Sequence, residues 1–243
     1  MTAGEVPVPH GYPAPPAPRV HHDVLHGSEV RLDADEAARV DAKHRLVAEV
    51  RHLAEAVAML DVTAVDTADL DGLGAAVAEL TARVATHPDL SGYGSLAVGP
   101  QIASALDERS PISGQANPVA PPMTIEFDGV KTWASATYGA IYEGPPFHVH
   151  GGWVIAAFDE LLGVAQVASG RPGMTGTITI RLRRPTPLGK QIDYEGWVDR
   201  VEGRKTYARG VARLDGEVLA EAEGVFIAPR NWIEAIEGGD HAE

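Results

Sequence analysis

The sequence predicts an α+β fold, in which one antiparallel sheet of five or six strands packs against a single central helix. From residue 123 onward, short segments rich in β-branched and aromatic residues are separated by dipeptides that favour tight turns. Among them lies one long apolar segment, residues 151–168, that lacks the alternation of a strand. A helix that is apolar on most sides needs other structure to cover it, which predicts a layered α+β domain.

The strands are predicted from their alternation and from the turns between them. The segments MTIEF and VKTWASATYGAIY flank a DG dipeptide, which is typical of a β-hairpin. In MTGTITIRLR, Ile178, Ile180 and Leu182 share one face, and threonine and arginine side chains share the other. Three more strands follow, joined by EG and DG turns. The predicted order is two strands, one helix and four strands.

The central helix contains two adjacent carboxylates, Asp159 and Glu160, in an otherwise apolar segment. We expect the helix to be buried on all sides, and burying an unpaired carboxylate costs several kcal/mol. Neighbouring residues on a helix point about 100° apart, so the two acids cannot face the same spot. Only one of them can face a given ligand, and either one could serve as a general base or nucleophile toward an acyl carbon.

The start of this helix predicts a second chemical function. His150, Gly151 and Gly152 precede the apolar run. The first amides of a helix lack internal partners, and glycine lets a ligand approach them closely. An oxyanion formed there would be stabilised. About two turns later comes the carboxylate pair, an arrangement that we expect to suit attack on a thioester or ester carbonyl.

Two amphipathic helices are predicted before the sheet, and their short connection favours an antiparallel hairpin. The apolar positions are Leu46, Val50, Leu53, Val57 and Leu60 in the first helix and Leu70, Leu73, Val77, Leu80 and Val84 in the second. The predicted organisation is a Pro-rich arm at 1–31, the helical hairpin at 32–87, a linker at 88–122, the α+β domain at 123–229 and an acidic tail at 230–243.

Composition excludes several classes of function. The formal net charge of −14 disfavours binding to nucleic acid and to anionic membranes, although a local basic patch can still bind an anionic small ligand. The absence of cysteine excludes disulfides, thiolate metal sites and cysteine nucleophiles. His148 and His150 have a spacing that suits zinc, but no third ligand is evident, so no metal site is predicted. Without a signal peptide or an apolar run of about 18 residues, a cytoplasmic location is expected.

Four motifs between residues 123 and 228 resemble a known family: HGGWVIAAFDELLG, GMTGTITIRLRRPTPLG, VEGRK and AEAEGVFI. In this order they are similar to the PaaI/THEM4-like group of hotdog-fold acyl-CoA thioesterases. The resemblance implies a hotdog fold, in which an antiparallel sheet wraps around a central helix, and hydrolysis of acyl-CoA thioesters. It implies no cofactor beyond the coenzyme A of the substrate. It also implies a homodimer, or a dimer of dimers, with active sites at the subunit interface.

The resemblance also assigns roles to individual residues. The family's catalytic acid lies nine residues after the histidine of HGG, where this sequence has Asp159 rather than Glu160. Gly151 matches the amide that polarises the thioester carbonyl, and His150 matches the residue that shapes the turn. Thr175 matches the hydroxyl residue that positions water. The candidates for substrate binding are Gly152, His148, Arg183, Arg184, Arg204 and Lys205.

Several alternatives stay open from the sequence. Gly144 stands where some members of the family have asparagine, and His148 is an additional histidine beside the motif. Thr175 alternates with Thr177 and Thr179, so an ordinary strand threonine is a competing interpretation. The protein could also be a hotdog enoyl-CoA hydratase or dehydratase, with His148 or His150 acting beside an acid. A third alternative is a non-catalytic acyl-CoA-binding protein whose N-terminal helices contact a partner.

Overall fold

The computed structural model describes residues 34–88, 108–171 and 173–230. The predicted arm at 1–31, most of the linker before residue 108, and the tail beyond residue 230 lie outside the described residues. The helices are α1 (Ala34–Ala58), α2 (Thr67–Val84) and α3 (Gly151–Ala165), with short 3₁₀ turns at Ala140–Tyr142 and Gln166–Ser169. The strands are β1 (Met123–Phe127), β2 (Lys131–Thr137), β3 (Met174–Leu182), β4 (Gln191–Glu202), β5 (Lys205–Leu214) and β6 (Glu217–Ile227).

The six strands form one antiparallel sheet in the order β1-β2-β4-β5-β6-β3. The predicted α+β class and the order of two strands, one helix and four strands are confirmed. Helix α3 follows β2 and precedes β3, so the chain crosses from one side of the sheet to the other through this helix. Strand β3 is thereby placed at an edge, where it pairs with β6 alone.

Helix α3 lies close against the concave face of the sheet because the strands beneath it carry glycine. A Cβ atom added at Gly196 would lie 3.1 Å from Leu161, and one added at Gly210 or Gly224 would lie 3.2 Å from Leu162. These glycines lie on three adjacent strands, β4, β5 and β6. The buried side chains of α3 are Val154, Ala157, Phe158, Leu161, Leu162 and Ala165.

The prediction that α3 is buried on all sides is wrong. Gly152, Ile155 and Asp159 are exposed on the face that points away from the sheet, and Ile155 retains 41% of its accessible surface. Segment Gly151–Ser169 is long and apolar enough to cross a membrane, yet its other face packs in the core of the sheet domain. Apolar composition alone could not distinguish a helix covered by one sheet from a helix covered on all sides.

The N-terminal helices dock differently from the prediction. Helix α1 contacts the sheet domain through a face that includes His44, Val47 and Arg51, and Val47 is buried. The predicted apolar stripe points largely away: Leu46 and Leu53 are 46% and 39% exposed. Helix α2 has no buried residue at all, so its own stripe is not covered by α1. The predicted stripes are therefore not the docking faces, because α1 docks through Val47 and through polar groups that apolar periodicity does not report.

Residues 108–122, the second half of the predicted linker, form a packed segment. Its backbone closes on itself, with Gly114 N donating to Ser110 O at 3.1 Å and Ala116 N donating to Glu108 O at 2.9 Å. Ala120 is fully buried. The glycine, proline and serine that predicted a linker here instead form successive turns against the domain.

Candidate functional site

Helix α3 and strand β3 run side by side in opposite directions, and the candidate residues lie along the line where they meet. At the start of the helix, a Cβ atom on Gly151 would lie 3.4 Å from Leu182, at the end of β3. Two turns later, Thr175 Oγ1 donates a hydrogen bond of 2.8 Å to Asp159 Oδ1. Both Asp159 and Thr175 are exposed in the single chain. Within the single chain the carboxylate therefore faces solvent, and no residue in the described part of its own subunit buries it.

A β-bulge explains why Thr175 reaches Asp159. Thr175 pairs with Phe226, whereas Thr177 pairs with the next residue back, Val225, and Gly176 is the extra residue between them. Since alternate residues of β6 face opposite sides of the sheet, Thr175 lies on the helix face and Thr177 lies on the outer face. The alternation of threonines in the sequence therefore does not extend to Thr175. Gly176 was the available signal, because glycine inside a strand often marks a bulge.

The amides at the start of α3 are not equivalent. His150 caps the helix: its Nδ1 accepts from Gly152 N at 3.0 Å, and its carbonyl oxygen accepts from Trp153 N at 2.9 Å. No acceptor among the described residues contacts the Gly151 N–H. The amide of Gly151 is thus available to a ligand, whereas the Gly152 amide is already used by the helix cap. The Nδ1 acceptor also requires the His150 proton to be on Nε2.

The turn before the helix has no room for a side chain at Gly144. Gly144 N donates to His148 O at 2.9 Å, and a Cβ atom on Gly144 would lie 2.7 Å from His150 Cα. An asparagine, which some related sequences have here, would displace His150. Tyr142 fixes the same turn from the other side, since its carbonyl oxygen accepts from His150 N at 2.8 Å.

The His148 ring contacts the backbone of its own loop, and none of its hydrogen bonds within the described residues is to another candidate site residue. Its Nδ1 lies 2.8 Å from Pro146 O, and its backbone forms an isolated bridge with Pro187. The preceding residue, Phe147, has a left-handed backbone with φ of +67° and an 80% exposed ring. The described residues contain no group of three or more His, Asp or Glu side chains arranged to bind a metal ion.

The four basic candidates do not form one patch. Arg183 and Arg184 follow the end of β3 and form exposed ion pairs with Glu221 at 2.6 Å and Glu217 at 2.8 Å. Arg204 and Lys205 lie in and after the turn between β4 and β5. They are near the other end of β3, since Lys205 and Met174 pair with the same residue of β6. Arg204 also donates to Ala228 O at 3.0 Å.

Glu160 has a separate set of partners, which the sequence did not predict. Its Oε1 accepts a hydrogen bond of 2.6 Å from Ser110 Oγ and a short one from Ser113 Oγ. Both serines belong to the packed segment before β1. The lower rank of Glu160 as a catalytic acid stays a prediction. The two serines stand three residues apart in the sequence, but nothing local linked them to a carboxylate on a helix about 50 residues later.

The distance along α3 corrects one further expectation. Gly151 and Asp159 are eight residues apart, which at about 1.5 Å per residue separates their backbones by roughly 12 Å along the axis. An amide that binds a carbonyl oxygen and a carboxylate that acts on its carbon must both lie within roughly 3–4 Å of the same group. One helix therefore cannot supply both groups to a single thioester. The expectation that the start of α3 and its own carboxylate act together on one carbonyl is wrong.

Comparison with known proteins bears on this arrangement. No family model matches the sequence. The acyl-coenzyme A thioesterase THEM4 of Xenopus laevis is 32% identical over 91 residues, 37% of this chain and 41% of the relative. The human acyl-coenzyme A thioesterase THEM5 is 30% identical over 91 residues, 37% of each chain. The match thus spans about two fifths of these curated relatives.

The fold has a clear counterpart among solved structures. The crystal structure of a thioesterase superfamily protein superposes with a TM-score of 0.65 at 27% sequence identity, covering 76% of this chain and 94% of that one. The resemblance to the PaaI/THEM4-like thioesterases is confirmed. The six-stranded sheet around α3 is accordingly a hotdog fold. We call residues 123–229 the hotdog unit, and α1, α2 and residues 108–122 the N-terminal extension. The structural match covers more of the chain than the hotdog unit, so it includes part of the sequence before it.

Proposed function

We propose that this protein hydrolyses acyl-CoA thioesters to a free acid and coenzyme A. The observation that carries the proposal is the 2.8 Å hydrogen bond between Thr175 and Asp159, on the open side of a helix whose first amide, at Gly151, is unpaired among the described residues. The curated relatives are acyl-coenzyme A thioesterases, which supports the same reaction. No cofactor is required, because coenzyme A is part of the substrate.

Asp159 is the group that activates the attacking atom. Thr175 donates to one carboxylate oxygen, which orients the group and leaves the other oxygen to face a ligand. As a base, Asp159 takes a proton from water while the water oxygen bonds to the carbonyl carbon. The C–S bond then breaks, and the proton passes to the departing thiolate. As a nucleophile, the carboxylate instead bonds to the carbonyl carbon and displaces the coenzyme A thiolate, and water then hydrolyses the resulting mixed anhydride to the free acid and the restored carboxylate. The geometry of the site is compatible with both routes.

A second copy of the chain completes the site. Since Gly151 and Asp159 of one helix lie roughly 12 Å apart, the amide that polarises the carbonyl and the carboxylate that attacks it come from different subunits. The surface around them supports this arrangement. Strand β3 is an edge strand, and Met174, Leu182 and Ile155 are 63%, 51% and 41% exposed along it and α3. We infer a homodimer with two sites.

The basic residues at both ends of β3 are assigned to the phosphates of coenzyme A. Arg183 and Arg184 are engaged only in exposed ion pairs, which contribute little energy and can exchange a carboxylate for a phosphate. Arg204 and Lys205 supply positive charge near the Thr175 end of the strand. In a protein with a net charge of −14, these positions offer local attraction for a polyanionic ligand.

The test measures thiol release from acyl-CoAs that differ in chain length and in aromatic content. We expect turnover by the wild type, and a fall of about 10²- to 10⁴-fold in kcat for Asp159→Asn, because the amide cannot take a proton or form an anhydride. Glu195→Gln, in a part-buried pair with Lys131 on the sheet away from the proposed site, is the matched control and should retain activity. Undiminished turnover by Asp159→Asn would refute the assignment.

The same panel separates the alternatives. Addition of water to an enoyl-CoA without thiol release would indicate a hydratase. Tight binding of acyl-CoA with no turnover would indicate a non-catalytic binding protein. Neither alternative is favoured by a contact among the described residues, because the His148 ring is hydrogen-bonded within its own loop and the His150 Nδ1 is used by the helix cap.

A further inference from the structure

We propose that Glu160 is a positioning residue, through which the N-terminal extension fixes the orientation of Asp159. The inference rests on the proposed function and concerns the residue next to the proposed catalytic acid. Glu160 accepts hydrogen bonds from Ser110 and Ser113, and Asp159 accepts one from Thr175. One helical turn of α3 is thus attached on two sides, to the extension by one carboxylate and to β3 by the other.

The serines that bind Glu160 are themselves held in place. Ser110 Oγ donates to Glu160 and accepts from the amides of Ile112 and Ser113, at 3.1 and 3.3 Å. Gly114 closes the turn so tightly that a Cβ atom there would lie 2.5 Å from Ser110 O. A hydroxyl group with this many fixed partners has little rotational freedom. The segment therefore presents a preorganised pair of donors to the helix.

Helix α1 secures this segment from outside the hotdog unit. Arg51 Nη2 donates to Gly114 O at 3.0 Å and to Asn117 O at 2.7 Å, and His44 Nε2 lies 2.6 Å from Glu108 Oε2. Burial lowers the pKa of Arg51, so this cation has given up solvent for carbonyl contacts. A continuous set of polar contacts leads from α1 through residues 108–117 to Glu160.

Helix α1 also reaches the other end of the catalytic helix. Glu55 Oε1 accepts from Ala140 N at 2.6 Å, at the start of the 3₁₀ turn that ends at Tyr142. The Tyr142 carbonyl oxygen accepts from His150 N, which caps α3. The extension thus binds α3 directly at Glu160 and acts on its N-terminus indirectly, through the turn at Ala140–Tyr142 and the cap residue His150. Both attachments restrain the position and rotation of the helix.

Small rotations of α3 would matter for the proposed reaction. At a radius of roughly 5 Å from the helix axis, a rotation of about 20° moves a carboxylate by about 2 Å. That displacement is enough to break the 2.8 Å bond between Asp159 and Thr175. Misplacing a catalytic group by about 1 Å can cost on the order of 10²-fold in rate. Because Asp159 is exposed in the single chain, packing within its own subunit does not provide this precision.

The test compares Glu160→Ala with Glu160→Gln in the full chain. The glutamine retains an oxygen that can accept from the serines, so its kcat should stay within about 3-fold of the wild type. The alanine cannot accept, and we expect its kcat to fall by about 10-fold or more while KM changes by less than about 2-fold. Glu195→Ala, which removes a half-buried carboxylate from the sheet, is the matched control and should retain the wild-type kcat.

A second variant keeps the test decisive if Glu160→Ala folds poorly. The Ser110→Ala and Ser113→Ala double variant removes the donors and leaves the helix sequence intact. It should lower kcat to a similar degree, and adding Glu160→Ala should cause little further loss, because both changes remove the same contact. Additive losses would overturn the proposal. So would a lower Tm accompanied by an unchanged kcat per folded site.

These outcomes are distinguishable from failure of the proposed function. If the wild type releases no thiol from any acyl-CoA, the thioesterase assignment fails and the role of Glu160 fails with it. If the wild type is active, Asp159→Asn is inactive and Glu160→Ala keeps the wild-type kcat, only the role of Glu160 is refuted.

Discussion

The contacts inside the hotdog unit and the contacts that attach the N-terminal extension to it are of opposite kinds. In the hotdog unit, α3 contacts the sheet through apolar side chains that have lost nearly all of their accessible surface. In the extension, α1 contacts the unit largely through an arginine, a histidine and a glutamate, while apolar side chains of α1 and α2 remain exposed. The apolar contact supplies stability, and the polar contacts supply directional geometry.

The difference has a functional meaning on α3 itself. Its apolar face determines that the helix lies on the sheet, but apolar packing tolerates small rotations at modest cost. Hydrogen bonds to a charged carboxylate are directional and fail within about 1 Å of displacement. The attachment of Glu160 to the extension therefore adds rotational precision that the core does not supply. Three substitutions measure the two kinds of attachment separately.

The largest expected effect is on the core. Phe158 is fully buried and meets Tyr194 edge to face, with ring centroids 5.5 Å apart. Phe158→Ala should lower the free energy of unfolding by about 3–5 kcal/mol, since it leaves a cavity beneath α3. Phe147→Ala, the same change at an 80% exposed ring, is the control and should cost less than about 1 kcal/mol. Urea denaturation measures both, and equal losses would contradict this view of the core.

An intermediate effect is expected where α1 is attached. Arg51→Met keeps the aliphatic length but removes the donors to the carbonyl groups of Gly114 and Asn117. We expect a loss of about 1–3 kcal/mol, the cost of leaving partly buried acceptors without a partner. Arg45→Met, at an exposed position of the same helix, should change stability by less than about 0.5 kcal/mol. A loss at Arg51 no larger than that at Arg45 would show that the polar attachment contributes nothing.

The parts of this structure that could be predicted from sequence are those set by local pattern. Alternation and turn dipeptides predicted the strands, and the HGG motif followed by an apolar run predicted α3 and its capping turn. Each of these inferences depends on residues within about 15 positions of each other, where periodicity and backbone preference act directly. Asp159 was instead singled out by the resemblance to the thioesterase family, and the structure places it beside Thr175.

The parts that could not be predicted depend on contacts between distant segments. The serines that bind Glu160 lie 47 and 50 residues before it, and the carbonyl groups that bind Arg51 lie more than 60 residues after it. A one-residue bulge at Gly176 reverses the face of Thr175, which no alternation pattern reports. One point is an exception: the helix rise alone shows that the Gly151 amide and Asp159 of the same helix cannot act on one thioester, and this could have been calculated from the sequence.

The smallest effect is expected on the exposed stripe of α2. Leu73 is 56% exposed and α2 has no buried residue, so Leu73→Gln removes little apolar contact, and the two residues have similar helix propensity. The free energy of unfolding should change by less than about 0.5 kcal/mol. The substitution should also leave the dependence of Tm on protein concentration unchanged. Leu161→Gln, at a fully buried position of α3, provides the contrast. A loss above about 1 kcal/mol at Leu73, together with a concentration dependence of Tm that differs from that of the wild type, would show that another chain covers this stripe. The extension would then be attached by apolar contacts after all, and the distinction drawn between the two regions would hold only within a single subunit.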